Sequence, residues 1–227
     1  MGSVRLLVGL VVAMVLAGCH AQEATDSGGG ASLIPLPAAR QTGPVSVEEA
    51  LAQRRSIRSY QARSLRLEDL AQLLWAAQGI TAAWGGRTAP SAGATYPLEI
   101  YAVVGQVEGL SPAVYRYIPQ GHALKLHRTG DLRAPLSQAA WQPWIRTAPV
   151  TLVIAADYLR TTLRYGERGV RYVHMEVGHV GQNVYLQATA LGLGTVIVGA
   201  FWDLEVQDLL GIPEDPLALM PVGYPYE

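Results

Sequence analysis

The chain has 227 residues, a formal net charge of −1 and a single cysteine, Cys19. That balance makes no electrostatic case for a nucleic-acid partner. A lone cysteine excludes a disulfide within the chain, and the length allows one domain with a sizeable core.

Residues 6–17, LLVGLVVAMVLA, follow Arg5 and run into LAGC at Cys19. A short apolar stretch behind a basic residue has the form of a signal peptide rather than a bilayer span. Ala17 and Gly18 before Cys19 resemble a bacterial lipobox, which implies removal of residues 1–18 and lipidation of Cys19. The protein is then exported and held at a membrane through its lipid alone, on the periplasmic face in a Gram-negative cell. An uncleaved hydrophobic anchor is the alternative and leads to the same side of the membrane. Residues 19–44 are rich in Gly, Ser, Ala and Pro and read as a flexible tether, with the domain proper expected over 45–227.

Ser46 and Glu49 form a capping-box pair that opens the first helix and delivers RRSIR, residues 54–58, at its end. Leu70, Leu73, Leu74 and Ala77 predict a second helix over 67–78 that stops at Gly79. Residues 84–97, WGGRTAPSAGATYP, are dense in turn formers and predict a loop. Strands are expected over 99–104, as a hairpin over 114–117 and 123–127, and as a buried run over 149–156. Between the last two, Asp131 is expected to cap a helix reaching Ala140. A long helix over 168–191 carries the stripe Val173, Val177, Val180, Val184, Ala188 and Leu191, and enough further apolar residues to be buried on several sides, against a second subunit among the options. GLGTVIVGAF predicts a strand ending at Phe201, followed by a short helix capped by Asp203 and running through Leu210, and a closing strand over 217–222. Helices interspersed with a hairpin and several strands define an α+β domain.

Several chemistries fail on spacing. His174 and His179 in HMEVGH are five apart on a helix and diverge by about 140°, and HExxH is missing, so no metal site is expected. Ser91 stands in no GxSxG elbow, which argues against an acyl nucleophile. GLGTVIVG follows a helix and precedes a strand, the reverse of a Rossmann phosphate turn. RRSIR nevertheless has the composition of a phosphate grip, with guanidinium forks and one neutral hydroxyl. FMN would use such a grip for its phosphate, the small-residue loop APSAG for a ring edge, and GAF for close amide approach.

RRSIRSY, PSAGATYPLEIY, RYGERGVRYVHMEVGHVGQNVYLQATALGLGTVIVGAF and MPVGYP, in that order, resemble the FMN-dependent nitroreductase superfamily, and most closely its SagB-type (thiazole/oxazole) dehydrogenase branch. The resemblance implies a nitroreductase-like fold, a central mainly antiparallel sheet flanked by helices. It also implies a homodimer with FMN at the subunit interface and ping-pong transfer of hydride or electrons between a reductant and a small organic substrate. A non-catalytic flavin- or small-ligand-binding lipoprotein of the same fold is the alternative. By the same resemblance Arg54, Arg55, Ser56 and Arg58 hold the FMN phosphate and ribityl chain. Pro90, Ser91, Ala92 and Gly93 form the loop along the ring, supplied by the other subunit. Gln142 meets the pyrimidine edge, and Val198, Gly199 and Ala200 bring backbone to the reactive part of the ring. Azoline-oxidising relatives carry a Lys-Tyr pair where this chain has Arg164 and Tyr165, which leaves Tyr165 as the candidate catalytic residue and removes the lysine. Many relatives also continue to a C-terminal basic pair on the phosphate. Without one before Glu227, the phosphate is expected to depend more on Arg54 and Arg58.

Overall fold

The computed structural model of the chain describes residues 33–226, so the expected signal segment, Cys19 and the first part of the tether lie outside the described residues. Helix α1 (Val47–Gln53) starts where Ser46 and Glu49 predict. The Ser46 hydroxyl accepts from the Glu49 amide and the Glu49 carboxylate accepts from the Ser46 amide, satisfying two amides that a first turn leaves free. Helix α2 (Leu67–Gln78) ends at Gly79 as its pattern predicts.

Seven strands, β1 (Leu33–Pro35), β2 (Leu98–Val104), β3 (Ala113–Ile118), β4 (Ala123–Thr129), β5 (Val150–Ala156), β6 (Gly194–Thr195) and β7 (Asp215–Gly223), form one antiparallel sheet in the order β1-β4-β3-β2-β5-β7-β6. The fold is therefore α+β with the expected antiparallel sheet. Every residue of β2 and β5 is buried, because helices cover both faces of the central strands. Alternate side chains divide between two cores. Ile100, Ala102, Leu152 and Ile154 pack with α2 and with α5 (Arg168–Ala190), whereas Tyr101, Val103, Val153 and Ala155 pack with α3 (Arg133–Ala139) and α6 (Asp203–Leu210). On α5 the stripe Val173, Val177, Val180, Val184 and Ala188 is buried, and Met175 off the stripe is exposed in the single chain.

Four expectations are corrected. The chain is ordered before residue 45: β1 pairs with β4, Leu36 is buried, and the Arg40 amide and carbonyl bond the Gln72 side chain. A three-residue edge strand is too short to show a period in the sequence. The strand expected to reach Phe201 stops at Thr195, because the Ile197 amide turns to the Tyr185 hydroxyl and only Val198 rejoins the sheet, opposite Leu219. Asp131 is not the cap of α3, since the helix begins at Arg133, whose amide and guanidinium both bond the Asp131 carboxylate. Helix α4 (Leu159–Tyr165) forms where no element was predicted, and it leaves Leu159 and Leu163 exposed.

Candidate functional site

After α1 the chain turns extended at Arg54 and runs beside β6, with the Ile57 amide donating to the Thr195 carbonyl at 2.9 Å. Tyr60 anchors this segment from below, its hydroxyl donating to the carbonyls of Ile57 (2.7 Å) and Pro221 (3.1 Å). Burial pushes the Tyr60 phenol well above its ordinary value, so it stays a neutral donor. Glycines allow the close fit. A Cβ at Gly194 would lie 2.7 Å from Ile57 Cβ, and one at Gly181 on α5 would lie 2.9 Å from Ile197 Cδ1.

Two of the expected arginines are available to a ligand. Among the described residues Arg54 and Arg58 pair with no carboxylate. Instead their guanidinium groups stand 5.1 Å from the ring centre of Tyr185 and 5.8 Å from that of Trp144. Arg55 differs from expectation: its Nη1 donates to the carbonyls of Ala52 (2.9 Å) and Arg54 (2.8 Å), closing the end of α1. Ser56 is exposed, and its Oγ lies 3.0 Å from the Tyr185 hydroxyl. The Val198 amide and carbonyl are taken by Leu219, at 2.8 and 2.9 Å. Gly199 and Ala200 are exposed, and their amides meet no acceptor among the described residues. Gln142 opens the short turn Pro143–Arg146 that carries Trp144. Its backbone is fixed by Ser137, while its side chain bonds nothing among the described residues. Three buried side-chain polar atoms have no partner among the described residues: Thr195 Oγ1 and Trp144 Nε1 next to this segment, and Thr151 Oγ1 in the core strand β5. Tyr185, Thr195 and Trp144 were not expected. The signal for Tyr185 is a tyrosine four residues after Gly181, one helical turn on.

The loop Pro90, Ser91, Ala92 and Gly93 forms a second group. Gly93, Ala94 and Tyr96 all have positive φ, 59°, 55° and 45°, a conformation that costs energy at the two non-glycine positions. The loop is held by many bonds: the Tyr96 amide donates to Ser91 Oγ (2.9 Å), Arg164 Nη1 to the Gly93 carbonyl (2.9 Å), and His179 Nδ1 to the Pro90 carbonyl (3.3 Å). Tyr165 packs edge-on against Tyr172 at 5.2 Å, and a Cβ at Gly93 would strike both Arg164 and Tyr165. Arg164 thus clamps the loop backbone.

The two groups use different faces of α5. His179 and Glu176 serve the loop, whereas Gly181 and Tyr185 serve the arginine segment, and these pairs diverge by about 120–180° around the helix axis. No hydrogen bond joins the groups among the described residues. A cavity of about 410 Å³ between residues 40–47 and helices α1, α2 and α5 is lined by none of the expected residues.

Behind the loop, Glu176 is 2% exposed and accepts from Gln78 Nε2 at 3.3 Å, while Gln78 Oε1 accepts from Arg87 at 2.9 Å. Burial pushes the Glu176 carboxyl up, against the opposing pull of Ser91, Gln78 and Arg87. The folded chain holds this proton more tightly than the unfolded chain does, so the stability linked to it is complete in acid and declines as pH rises through the folded value. Glu176→Gln is therefore expected to match the wild-type Tm in mild acid and exceed it at neutral pH. Thermal unfolding across that range checks this, and a pH-independent difference would contradict it.

The antiparallel sheet with helices on both faces has the architecture of the nitroreductase fold. The sequence model of the nitroreductase family matches residues 51–224, and the chain belongs to that family. A Methanocaldococcus jannaschii protein named as a nitroreductase is 53% identical over 180 residues, covering 79% of this chain and 91% of that protein. The crystal structure of a protein named as a nitroreductase from Ralstonia eutropha superposes with a TM-score of 0.77 at 29% identity, covering 86% of this chain and 90% of that one. The Escherichia coli microcin synthetase complex McbBCD, solved with truncated pro-MccB17 bound, contains a chain that shares the fold, with a TM-score of 0.68 at 20% identity, over 96% of this chain and 85% of that one.

Proposed function

We propose that the chain binds FMN at a site shared by two copies of itself and passes electrons between a reductant and a small organic substrate. The observation that carries this reading is that Arg54 and Arg58 meet no carboxylate among the described residues and that their segment runs along Thr195, on the stretch leading to Gly199 and Ala200, whose amides meet no acceptor among the described residues. When bound, FMN supplies the two-electron chemistry, accepting from one partner and delivering to the next in separate half-reactions.

The protein's part is placement and charge. Arg54 and Arg58 would hold a phosphate through charge-assisted bonds, and Ser56 would add a neutral donor. The Gly199 and Ala200 amides are fixed donors for negative charge that develops on a ring laid against them. Gln142 has an uncommitted amide for a pyrimidine edge. The loop of residues 90–93, on a different face of α5, would close the site of the opposite chain. The exposed Leu159, Leu163, Val170 and Met175 on α4 and α5 support pairing of chains over that region. Tyr165, against Gly93, would face the substrate side of the partner's site, and Arg164 in place of lysine disfavours azoline oxidation within a SagB-type assignment. The chain would act as an exported lipoprotein anchored at Cys19.

Anaerobic mixing of the FMN-loaded protein with NADH or NADPH, then with a quinone or nitroaromatic acceptor, tests the reading. Bleaching of the visible band by a donor and its return with an acceptor are expected. Bound FMN that responds to no donor or acceptor would instead indicate a binding protein.

A further inference from the structure

We infer that Tyr185 is a positioning residue that sets the direction of the Ser56 hydroxyl, a reading that rests on the anion site proposed above. Tyr185 lies on α5, 8% exposed, and its hydroxyl joins two segments that are 141 residues apart in the chain at their contact points, Ser56 and Ile197. The Ile197 amide can only donate, so at 2.9 Å it makes the phenol oxygen an acceptor. Either hydroxyl could donate across the 3.0 Å contact, and we take the phenol as donor because Ser56 Oγ is the one acceptor its single hydrogen has among the described residues. A serine oxygen that accepts from the protein directs its own hydrogen elsewhere, and Ser56 has no other side-chain partner among the described residues. The chain of donors runs from the Ile197 amide through Tyr185 to Ser56 and ends on an exposed O–H, each bond polarising the next. That polarity suits an anionic oxygen.

The surroundings serve the same geometry. Gly181, one turn before Tyr185, admits Ile197 to within reach, since a Cβ there would meet Ile197 Cδ1 at 2.9 Å. The Arg54 guanidinium rests over the Tyr185 ring at 5.1 Å, so one side chain orients both the charged and the neutral donor.

The test compares Tyr185→Phe, which keeps the ring and the Arg54 contact, with wild type, Ser56→Ala and the double variant. Amide hydrogen exchange of the unliganded full chain should quicken about tenfold in residues 54–58 and 195–200, with β5 unchanged, on the loss of hydrogen bonds of ordinary strength. FMN should bind about tenfold more weakly to Tyr185→Phe, with a bound visible spectrum closer to that of free flavin. The double variant should lose less than the product of the two single losses, because both act through Ser56. Unchanged exchange in both segments, or single losses that simply multiply, would overturn the inference. If the wild type binds no FMN, the cofactor reading fails separately, and the exchange comparison alone decides whether Tyr185 couples the two segments.

Discussion

Replacing Arg54 and Arg58 together with alanine should weaken FMN binding by about 100-fold or more while leaving Tm within a few degrees of wild type. Each guanidinium is without a carboxylate partner among the described residues, so its removal strands no buried charge. A hydrogen bond to a charged group contributes about 1.5–3 kcal/mol, and two such losses set the lower end of the expected change at about 3 kcal/mol. Arg55→Ala is the internal control. Its guanidinium is committed to the carbonyls of Ala52 and Arg54, so its loss should slightly loosen the end of α1 and leave FMN affinity nearly unchanged. Isothermal titration of the two variants against wild type distinguishes this arrangement from one in which RRSIR is merely a basic surface. In the latter case the three arginines would contribute alike.

The second large effect is expected at Gly194. An added methyl would sit 2.7 Å from both Cβ and Cγ2 of Ile57, atoms fixed close to the backbone of a β-branched residue. Neither can move away without shifting the chain, and overpacking of this kind costs about 1–3 kcal/mol. Gly194→Ala should therefore lower Tm by several degrees and also weaken FMN binding, because Ile57 lies between Ser56 and Arg58. Ile57→Ala in the same chain removes the clashing atoms and should restore a large part of both losses. Thermal unfolding and titration of the double variant check this. If it is worse in both than either single variant, the contact between β6 and the arginine segment is not what limits the site.

Much of this was legible in the residues themselves. Ser46 and Glu49 mark the start of α1, Leu70 to Ala77 the buried face of α2, and the continuous apolar run of β5 a strand covered on both faces. What escaped has specific causes. β1 is three residues long and gains its stability from pairing with β4, a long-range contact with no local pattern. α4 carries Leu159 and Leu163 on an exposed face, so its apolar residues do not signal burial in the single chain.

The site shows the same division. β6 brings Thr195 beside Ser56, so the segment of Arg54, Ser56 and Arg58 runs next to the one that leads on to Gly199 and Ala200. Arg55 and Val198 lie within the same motifs yet are occupied by the fold, one on the end of α1 and one on Leu219. A spacing cannot distinguish a donor that is free from one already used. Tyr185 escaped because a buried aromatic residue on a helix is usually packing. Only the positions of Ser56 and Ile197 give its hydroxyl a role.

The central claim is a flavin site completed by two chains, and its most direct test is titration of the purified protein with FMN, followed by sedimentation of the complex. One FMN per chain, in a particle with the mass of a dimer, is predicted. Absence of binding, or equally tight binding by a single chain, would contradict it.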